Sequence, residues 1–130
     1  MLLDTDFLID LGGGRSSRRR NEALDFLTRH AAGQFFISRI TWAEFAEGAA
    51  SLAATWQALV GFACLEISED TAWISSRIAR ALKHTGLHIG DNDVWQAAIA
   101  VEHALPLVTG NASHFARVPG LRVLTHRPTA

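Results

Sequence analysis

The chain has 130 residues, 48% of them hydrophobic and 19% charged, a composition that excludes a disordered or fibrous protein and is typical of a globular one. The formal net charge of −1 says little about the partner: it lacks the basic excess that many nucleic-acid binders have, although four arginines crowd one short segment. A single cysteine excludes an internal disulfide framework and a cysteine-based zinc site, and it favours the cytoplasm as the compartment.

Short apolar runs, which predict strands, alternate with apolar residues at helical spacing, which predict helices. Ser68 is expected to cap the long helix that follows it. In chain order, we predict a strand at 1–4, a short helical turn at 7–9, a flexible loop at 12–17, a helix at 21–32, a strand at 34–38, a mostly helical stretch at 41–63 that breaks near Ser51, a strand at 64–67, helices at 69–84 and 91–103, and strands at 105–109 and 121–124.

The chain shows no internal repeat and no low-complexity linker, so we expect one domain over residues 1–130. No apolar run approaches the roughly 20 residues that cross a bilayer. The first residues reach Asp4 and Asp6 without a basic segment, so we also expect no signal peptide.

The alternation of strands and helices predicts an α/β protein with a mostly parallel sheet of about five strands, covered on both faces by helices. Ligands of such sheets bind beyond the carboxyl ends of the strands. Functional side chains are therefore expected just after a strand or at the start of the helix that follows it.

Acidic or amide side chains occupy such positions at four places in the chain. Each place also has a structural explanation. Glu44 could complete a capping box that begins at Thr41. Asp91 and Asn111 could each cap a helix. The four places are Asp4 with Asp6, Glu44, Asp91 with Asp93, and Asn111.

Asp4 is harder to explain as a structural residue, because it lies between two apolar runs that favour burial. A buried carboxylate is costly unless it is paired or bound to a metal ion. Oxygen ligands without histidine or cysteine select Mg²⁺ or Mn²⁺, and carboxylate-held ions of this kind serve phosphate-ester chemistry. If the strands align as predicted, four polar residues converge on one edge of the sheet, namely Asp4, Glu44, Asp93 and Asn111.

In the order and setting of these residues, the chain resembles the PIN-domain ribonucleases, and among them the toxins of bacterial VapBC-type toxin–antitoxin pairs. Residues 2–9 are similar to the family's first motif, a hydrophobic run followed by Asp-Thr, with Asp6 where the family usually has Asn. Residues 37–48 resemble the second motif, whose acid corresponds to Glu44.

The remaining two motifs follow in the family's order. Residues 89–100 resemble the third motif and place its acid at Asp93. Residues 107–121 resemble the C-terminal signature, whose fourth polar residue corresponds to Asn111. The resemblance therefore covers nearly the whole chain.

The resemblance implies a three-layer α/β/α sandwich and a Mg²⁺- or Mn²⁺-dependent endoribonuclease that cleaves RNA phosphodiester bonds with metal-activated water. It also implies homodimers and inhibition by a cognate antitoxin. The catalytic residues would be Asp4, Glu44, Asp93 and Asn111, and the metal ligands Asp4, Glu44, Asp93 and Asp6. Four arginines are candidates for steering the RNA backbone, unless they only solvate a loop and a helix start: Arg15, Arg18, Arg19 and Arg20.

Two alternatives stay open. The pair Asp4 and Asp6 also resembles the haloacid-dehalogenase phosphatases, in which the first Asp is the nucleophile and the second the acid/base. That interpretation takes Ser38 and Lys83 as the middle motifs but leaves Glu44 without a function. The second alternative is a catalytically silent scaffold with the same fold, whose task is to hold a partner chain.

The segment at 45–62 is rich in alanine and carries an apolar face with few charges, formed by Leu52, Trp56, Leu59 and Val60. This face either docks an antitoxin helix around an aromatic anchor or packs on the sheet. Most of the four tryptophans are expected to be packing residues.

Overall fold

The computed structural model describes residues 1–128, so the predicted domain 1–130 extends two residues beyond the described part. The strands are β1 (Leu2–Leu3), β2 (Phe36–Ser38), β3 (Ala63–Leu65), β4 (Leu107–Val108) and β5 (Val123–Leu124). The helices are α1 (Thr5–Leu11), α2 (Ser17–Arg29), α3 (Arg39–Glu47), α4 (Leu52–Leu59), α5 (Glu69–Thr85), α6 (Asp91–Glu102) and α7 (Ala112–Phe115).

The five strands form one sheet in the order β3-β2-β1-β4-β5, and every neighbouring pair is parallel. In register, Leu2 of the central strand lies opposite Phe36 on one side and Leu107 on the other. The predicted parallel sheet of about five strands is therefore confirmed.

Each face of the sheet carries its own hydrophobic core, because successive strand residues point to opposite faces. Leu2 packs with Ile78, Leu82 and Ile99 in the core that α5 and α6 cover. The next residue, Leu3, packs on the other face in a core that includes Phe7 and Phe26 of α1 and α2. The molecule is therefore a three-layer α/β/α sandwich, as predicted.

Short polar residues set several helix boundaries as the sequence predicts. Ser51 separates α3 from α4 and caps α4 by accepting a hydrogen bond from the Ala54 N–H at 3.1 Å. Ser68 caps α5 through the Thr71 N–H at 3.2 Å. The predicted bounds of α2 are wrong, because Ser16 caps it through the Arg19 N–H, so the arginines form its first turn.

All five strands run the same way, so their carboxyl ends lie at one edge of the sheet. At this edge β1 leads into Asp4, β2 leads into α3, and β4 leads into Thr109. Of the helices within residues 1–128, none combines the length and the apolar character that a bilayer crossing requires.

Candidate active site

A pocket of about 460 Å³ opens at the carboxyl ends of the strands. Four carboxylates line it, together with one amide and two arginines. All of the residues predicted as catalytic or metal-binding are among them: Asp4, Asp6, Glu44, Asp93 and Asn111. The structure therefore brings together, in one place, side chains that are more than one hundred residues apart in sequence.

Asp4 is the most buried of these carboxylates, with 9% of its surface exposed. It follows β1 and caps α1, because its Oδ1 accepts a hydrogen bond from the Thr5 N–H at 2.9 Å. Its Oδ2 accepts one from the Thr109 hydroxyl at 2.8 Å. Both carboxylate oxygens are thus held by neutral donors, and neither is paired with a cation within residues 1–128.

Burial in this neutral shell raises the pKa of Asp4 from 3.8 to about 7, with repulsion from Asp6 as the next cause. Hydrogen bonds from Thr109 and Thr5 act in the opposite direction but do not offset the burial. Without a nearby positive charge, the ionised form of Asp4 is therefore costly. A bound cation would remove that cost.

Asp6 has one carboxylate oxygen that is paired and one that is not. Its Oδ2 accepts a hydrogen bond from the Gly110 N–H at 2.8 Å. Its Oδ1 is buried and has no hydrogen-bond partner in the described part of the chain. Buried polar atoms are nearly always paired, so an unpaired carboxylate oxygen that lines a pocket points to a ligand or ion.

Glu44 reaches the pocket from α3 and accepts a hydrogen bond from the Thr5 hydroxyl at 2.9 Å. The capping-box explanation of Glu44 is wrong, because α3 begins two residues before Thr41. Its cap is Ser38, whose hydroxyl accepts from the Thr41 N–H at 3.0 Å. Glu44 is thus free of a capping duty.

Asp93 lies in the first turn of α6, and its Oδ2 is 2.8 Å from Nε2 of His114. Asp91 does not cap this helix: the cap position is Gly90, and no side chain bonds to the helix start. The Asp91 side chain is 91% exposed and does not line the pocket. The third motif therefore contributes Asp93, while Asp91 is a surface residue.

Asn111 occupies the cap position of α7, but its side chain makes no capping hydrogen bond. Its backbone N–H donates to the Thr109 hydroxyl at 3.1 Å instead. Because it lines the pocket without a capping duty, the Asn111 amide is available to a ligand.

Gln96 joins the segments that carry the site through hydrogen bonds, and the sequence analysis did not predict this role. This buried residue of α6 donates from Nε2 to the Thr41 hydroxyl at 3.0 Å and to Asp4 Oδ1 at 3.4 Å. Its Oε1 accepts a hydrogen bond from the Ser38 hydroxyl. The available signal was a glutamine within the apolar run of α6, between Trp95 and Ala97.

A second polar cluster, also missed, lies on the wall of the pocket around Asp10, which is fully buried. His126 Nε2, Arg15 Nη1 and Arg127 Nε lie 2.8, 2.7 and 2.9 Å from its carboxylate oxygens. Burial alone would raise the pKa of Asp10, but these hydrogen bonds hold it below its ordinary value. The signal would have been an acid on the buried side of α1.

The four predicted RNA-binding arginines fall in different surroundings. Arg15 lines the pocket. Arg18 and Arg19 both pair with Glu22, at 3.1 and 2.8 Å, and lie outside the pocket. Arg20 is exposed near the start of α2.

The pocket residues fit a hard divalent cation by their chemistry. Among residues 1–128, no three acidic, histidine or cysteine side chains stand close enough to form a ready-made metal site. The carboxylates nevertheless line one pocket, with an unpaired buried oxygen on Asp6 and an uncompensated charge on Asp4. Carboxylate oxygens without sulfur or imidazole select Mg²⁺ or Mn²⁺.

A parallel α/β/α sandwich with a carboxylate-lined pocket at its strand ends suits metal-dependent chemistry on phosphate esters. The sequence matches the PIN domain family over residues 1–121. The chain belongs to the PIN-domain family, which is a family of nucleases.

Solved structures similar to this chain are components of toxin–antitoxin complexes. A toxin–antitoxin complex from Klebsiella pneumoniae has a chain 34% identical, covering 98% of both chains with a TM-score of 0.74. VapBC-1 from nontypeable Haemophilus influenzae has a chain that is 26% identical, with an alignment that covers 96% of both chains and a TM-score of 0.77. FitAcB from Neisseria gonorrhoeae has a chain that is 22% identical, with an alignment that covers 96% of both chains and a TM-score of 0.80.

No curated protein matches the chain significantly. The family membership overturns the phosphatase alternative. The geometry agrees, since neither Ser38 nor Lys83 lines the acidic pocket, and Ser38 caps α3 instead.

Proposed function

We propose that this protein is a Mg²⁺- or Mn²⁺-dependent endoribonuclease and the toxin of a toxin–antitoxin pair. The observation that carries the metal dependence is the buried, unpaired Asp6 Oδ1 beside Asp4, whose pKa is raised to about 7 by burial and by repulsion from Asp6. A divalent ion in this pocket would satisfy both carboxylates.

Asp4, Asp6, Glu44 and Asp93 would hold the ion, and Asn111 would orient water or substrate beside it. When bound, such an ion stabilises charge on a phosphate and makes water a better nucleophile. Thr109 and Gly110 hold the carboxylates of Asp4 and Asp6 in place through their hydrogen bonds of 2.8 Å.

Two side chains hold the acidic residues of this pocket in position. Thr5 bridges the acidic residues, because its hydroxyl donates to Glu44 while its N–H binds Asp4. His114 lies 2.8 Å from the Asp93 carboxylate and orients it toward the pocket.

The product of cleavage would be an RNA fragment with a 5′-phosphate, because the 3′ oxygen leaves.

Titration calorimetry with Mn²⁺ tests the metal site directly. We expect binding by the wild-type protein and its loss in Asp6→Ala, which removes the unpaired oxygen. Asp91→Ala, a change at an exposed carboxylate at the start of α6, is the matched control and should bind normally. Equal binding by wild type and Asp6→Ala would refute the site, and absence of binding in wild type would favour a catalytically silent scaffold.

The toxin role is supported by the complexes of the structural relatives and by an exposed apolar surface on α4. Trp56 is 65% exposed, as is Leu52, and Val60 is 78% exposed. The alternative that this face packs on the sheet is therefore wrong for three of its four residues, and Leu59 alone is buried. We assign this surface, the α4 surface, to the cognate antitoxin.

A cavity of about 190 Å³ beside Trp56 supports that assignment. It is lined by Trp42, Phe62 and Arg39 among others, so an apolar side chain of a partner helix could enter it. Expression of the chain alone should arrest bacterial growth, and co-expression with the product of the neighbouring reading frame should restore it. Growth arrest that persists with an Asp93→Ala variant would refute a nuclease toxin.

We also propose a homodimer that acts in the cytoplasm, where RNA is made and translated. Trp73 of α5 is 63% exposed and lies on a surface separate from the α4 surface, so the expectation that most tryptophans pack inside is wrong for two of them. Trp73 and Ile74 line a cavity of about 260 Å³ that a second copy could cover. Light scattering on Trp73→Ala should show a weaker dimer than wild type.

A further inference from the structure

Two arginines share one buried carboxylate on the wall of the acidic pocket. Arg15 and Arg127 both bind Asp10, and both line the pocket. One carboxylate neutralises one guanidinium, so this wall carries a surplus of at least one positive charge. All the other charged residues that line the pocket within residues 1–128 are carboxylates, which repel a polyanion.

Arg127 leaves only its Nη1 donors open to the pocket. Its Nε donates to Asp10 Oδ2 at 2.9 Å. Its Nη2 is buried and lies 2.8 Å from the same oxygen, so it belongs to the ion pair with Asp10. A guanidinium offers five N–H donors in a planar fork, so the two donors on Nη1 remain for an anion such as phosphate.

The backbone makes room for this guanidinium. A Cβ on Gly110 would lie 2.5 Å from Cζ of Arg127 and 2.6 Å from its Nε and Nη1. Gly110 is also the residue whose N–H binds Asp6. The absence of a side chain at position 110 therefore lets Arg127 lie directly against the segment that holds a proposed metal ligand.

We propose that Arg127, positioned by Asp10 and His126, binds a phosphate of the RNA backbone next to the bond that is cut. Asp10 fixes the guanidinium through Nε, and the fully buried His126 holds the same oxygen of Asp10, Oδ2, from 2.8 Å. Arg15, held by the same carboxylate, adds to the attraction. This inference rests on the proposed ribonuclease function and gives the acidic pocket its substrate-binding residue.

The test measures binding of a fluorescein-labelled single-stranded RNA by anisotropy in EDTA, where no metal ion contributes and no cleavage occurs. Arg127→Gln should weaken binding about tenfold, and the slope of log affinity against log salt should fall by about 0.7, the value for one lost phosphate contact on a single strand. Arg122→Gln is the matched control: Arg122 is exposed on the same C-terminal segment but does not line the pocket, so its loss should change little.

Two further variants separate position from charge. Arg127→Lys keeps the charge but loses the planar fork, and should restore part of the affinity. Gly110→Ala keeps every charge and pushes the flexible end of Arg127 aside, so it should weaken RNA binding as Arg127→Gln does. In Mn²⁺, Arg127→Gln should raise KM more than it lowers kcat, because the contact is made before and during cleavage.

Thermal unfolding identifies variants that fail to fold, since Arg127→Gln leaves Asp10 with one cation fewer. If that variant unfolds, Arg127→Lys and Gly110→Ala carry the test. Wild-type affinity and salt slope in Arg127→Gln or Gly110→Ala, with wild-type protein that binds and cleaves RNA, would overturn the inference alone. Wild-type protein that neither binds nor cleaves RNA would overturn the proposed function and the inference with it.

Discussion

Replacing Asp4 by asparagine should stabilise the metal-free protein while it abolishes cleavage. Burial and Asp6 raise the pKa of Asp4 from 3.8 to about 7, so its ionisation costs the folded state roughly 4 kcal/mol relative to the unfolded chain. The asparagine side chain carries no charge. Its amide has only one acceptor oxygen, however, and cannot accept from both Thr5 and Thr109, which costs about 2 kcal/mol.

The net gain should be about 2 kcal/mol at pH 8, or a rise in Tm of roughly 7 °C for a domain of this size. The gain depends on pH with a definite sign. The pKa of Asp4 is higher in the folded state than in the unfolded state. Asp4 therefore does not destabilise the folded wild-type protein below about pH 4, and its destabilising effect grows until the pH has risen through 7. The difference between Asp4→Asn and wild type should therefore shrink toward zero at about pH 5.

Thermal unfolding followed by circular dichroism in EDTA, at about pH 5 and pH 8, measures both effects. Asp91→Asn is the control, because the Asp91 side chain is 91% exposed. This variant should show neither the gain in Tm nor its dependence on pH. Adding Mn²⁺ should raise the Tm of wild type but not of Asp4→Asn. An Asp4→Asn protein that is less stable than wild type at the higher pH, or equally more stable at both pH values, would refute the reasoning.

The other predictions concern residues in and around the pocket. Asp93→Ala should abolish Mn²⁺ binding in calorimetry, whereas Asp91→Ala should change stability by less than about 0.5 kcal/mol, since it caps nothing. Gln96→Leu should lower the free energy of unfolding in urea by about 3 kcal/mol, because it leaves buried hydroxyl groups without partners; an unchanged value would refute its role in holding the site together. Trp56→Ala should remain folded and lose more than about 2 kcal/mol of antitoxin affinity, with Leu87→Ala, a change at an exposed apolar residue outside both surfaces, as the control; normal binding would place the antitoxin elsewhere.

The sheet and the acidic site could be predicted because local patterns specify them. Apolar runs at 1–4 and 105–109 mark strands whose parallel alignment follows from the helices between them. Once the strands are parallel, residues that follow them share one edge of the sheet. Asp4 and Asn111 therefore meet in the structure although nothing local connects them.

The rest depends on tertiary contacts that leave no local pattern. The Asp10 cluster joins α1 to residues 126 and 127, which are more than one hundred positions away. In the sequence, His126 is only a residue near the C-terminus, and its burial follows from the fold. Asp91 shows the opposite error: it has a good capping side chain, but Gly90 takes the cap position with a φ of 98° and leaves Asp91 in solvent.

The exposed tryptophans were misjudged for a related reason. Helical spacing places Trp56 on an apolar face of α4, but spacing does not say whether that face meets the sheet or a partner. The structure buries Leu59 beneath α4 and leaves Trp56 exposed.

Cleavage of total bacterial RNA by the purified protein, with fragment ends mapped by sequencing, tests metal-dependent ribonuclease activity most directly. Wild-type protein should produce discrete fragments with 5′-phosphates in Mg²⁺ or Mn²⁺ and none in EDTA. Asp93→Ala, folded by circular dichroism, should produce none under any condition. Fragments that persist in EDTA, or that Asp93→Ala produces at the wild-type rate, would contradict a carboxylate-held metal ion as the centre of this protein's activity.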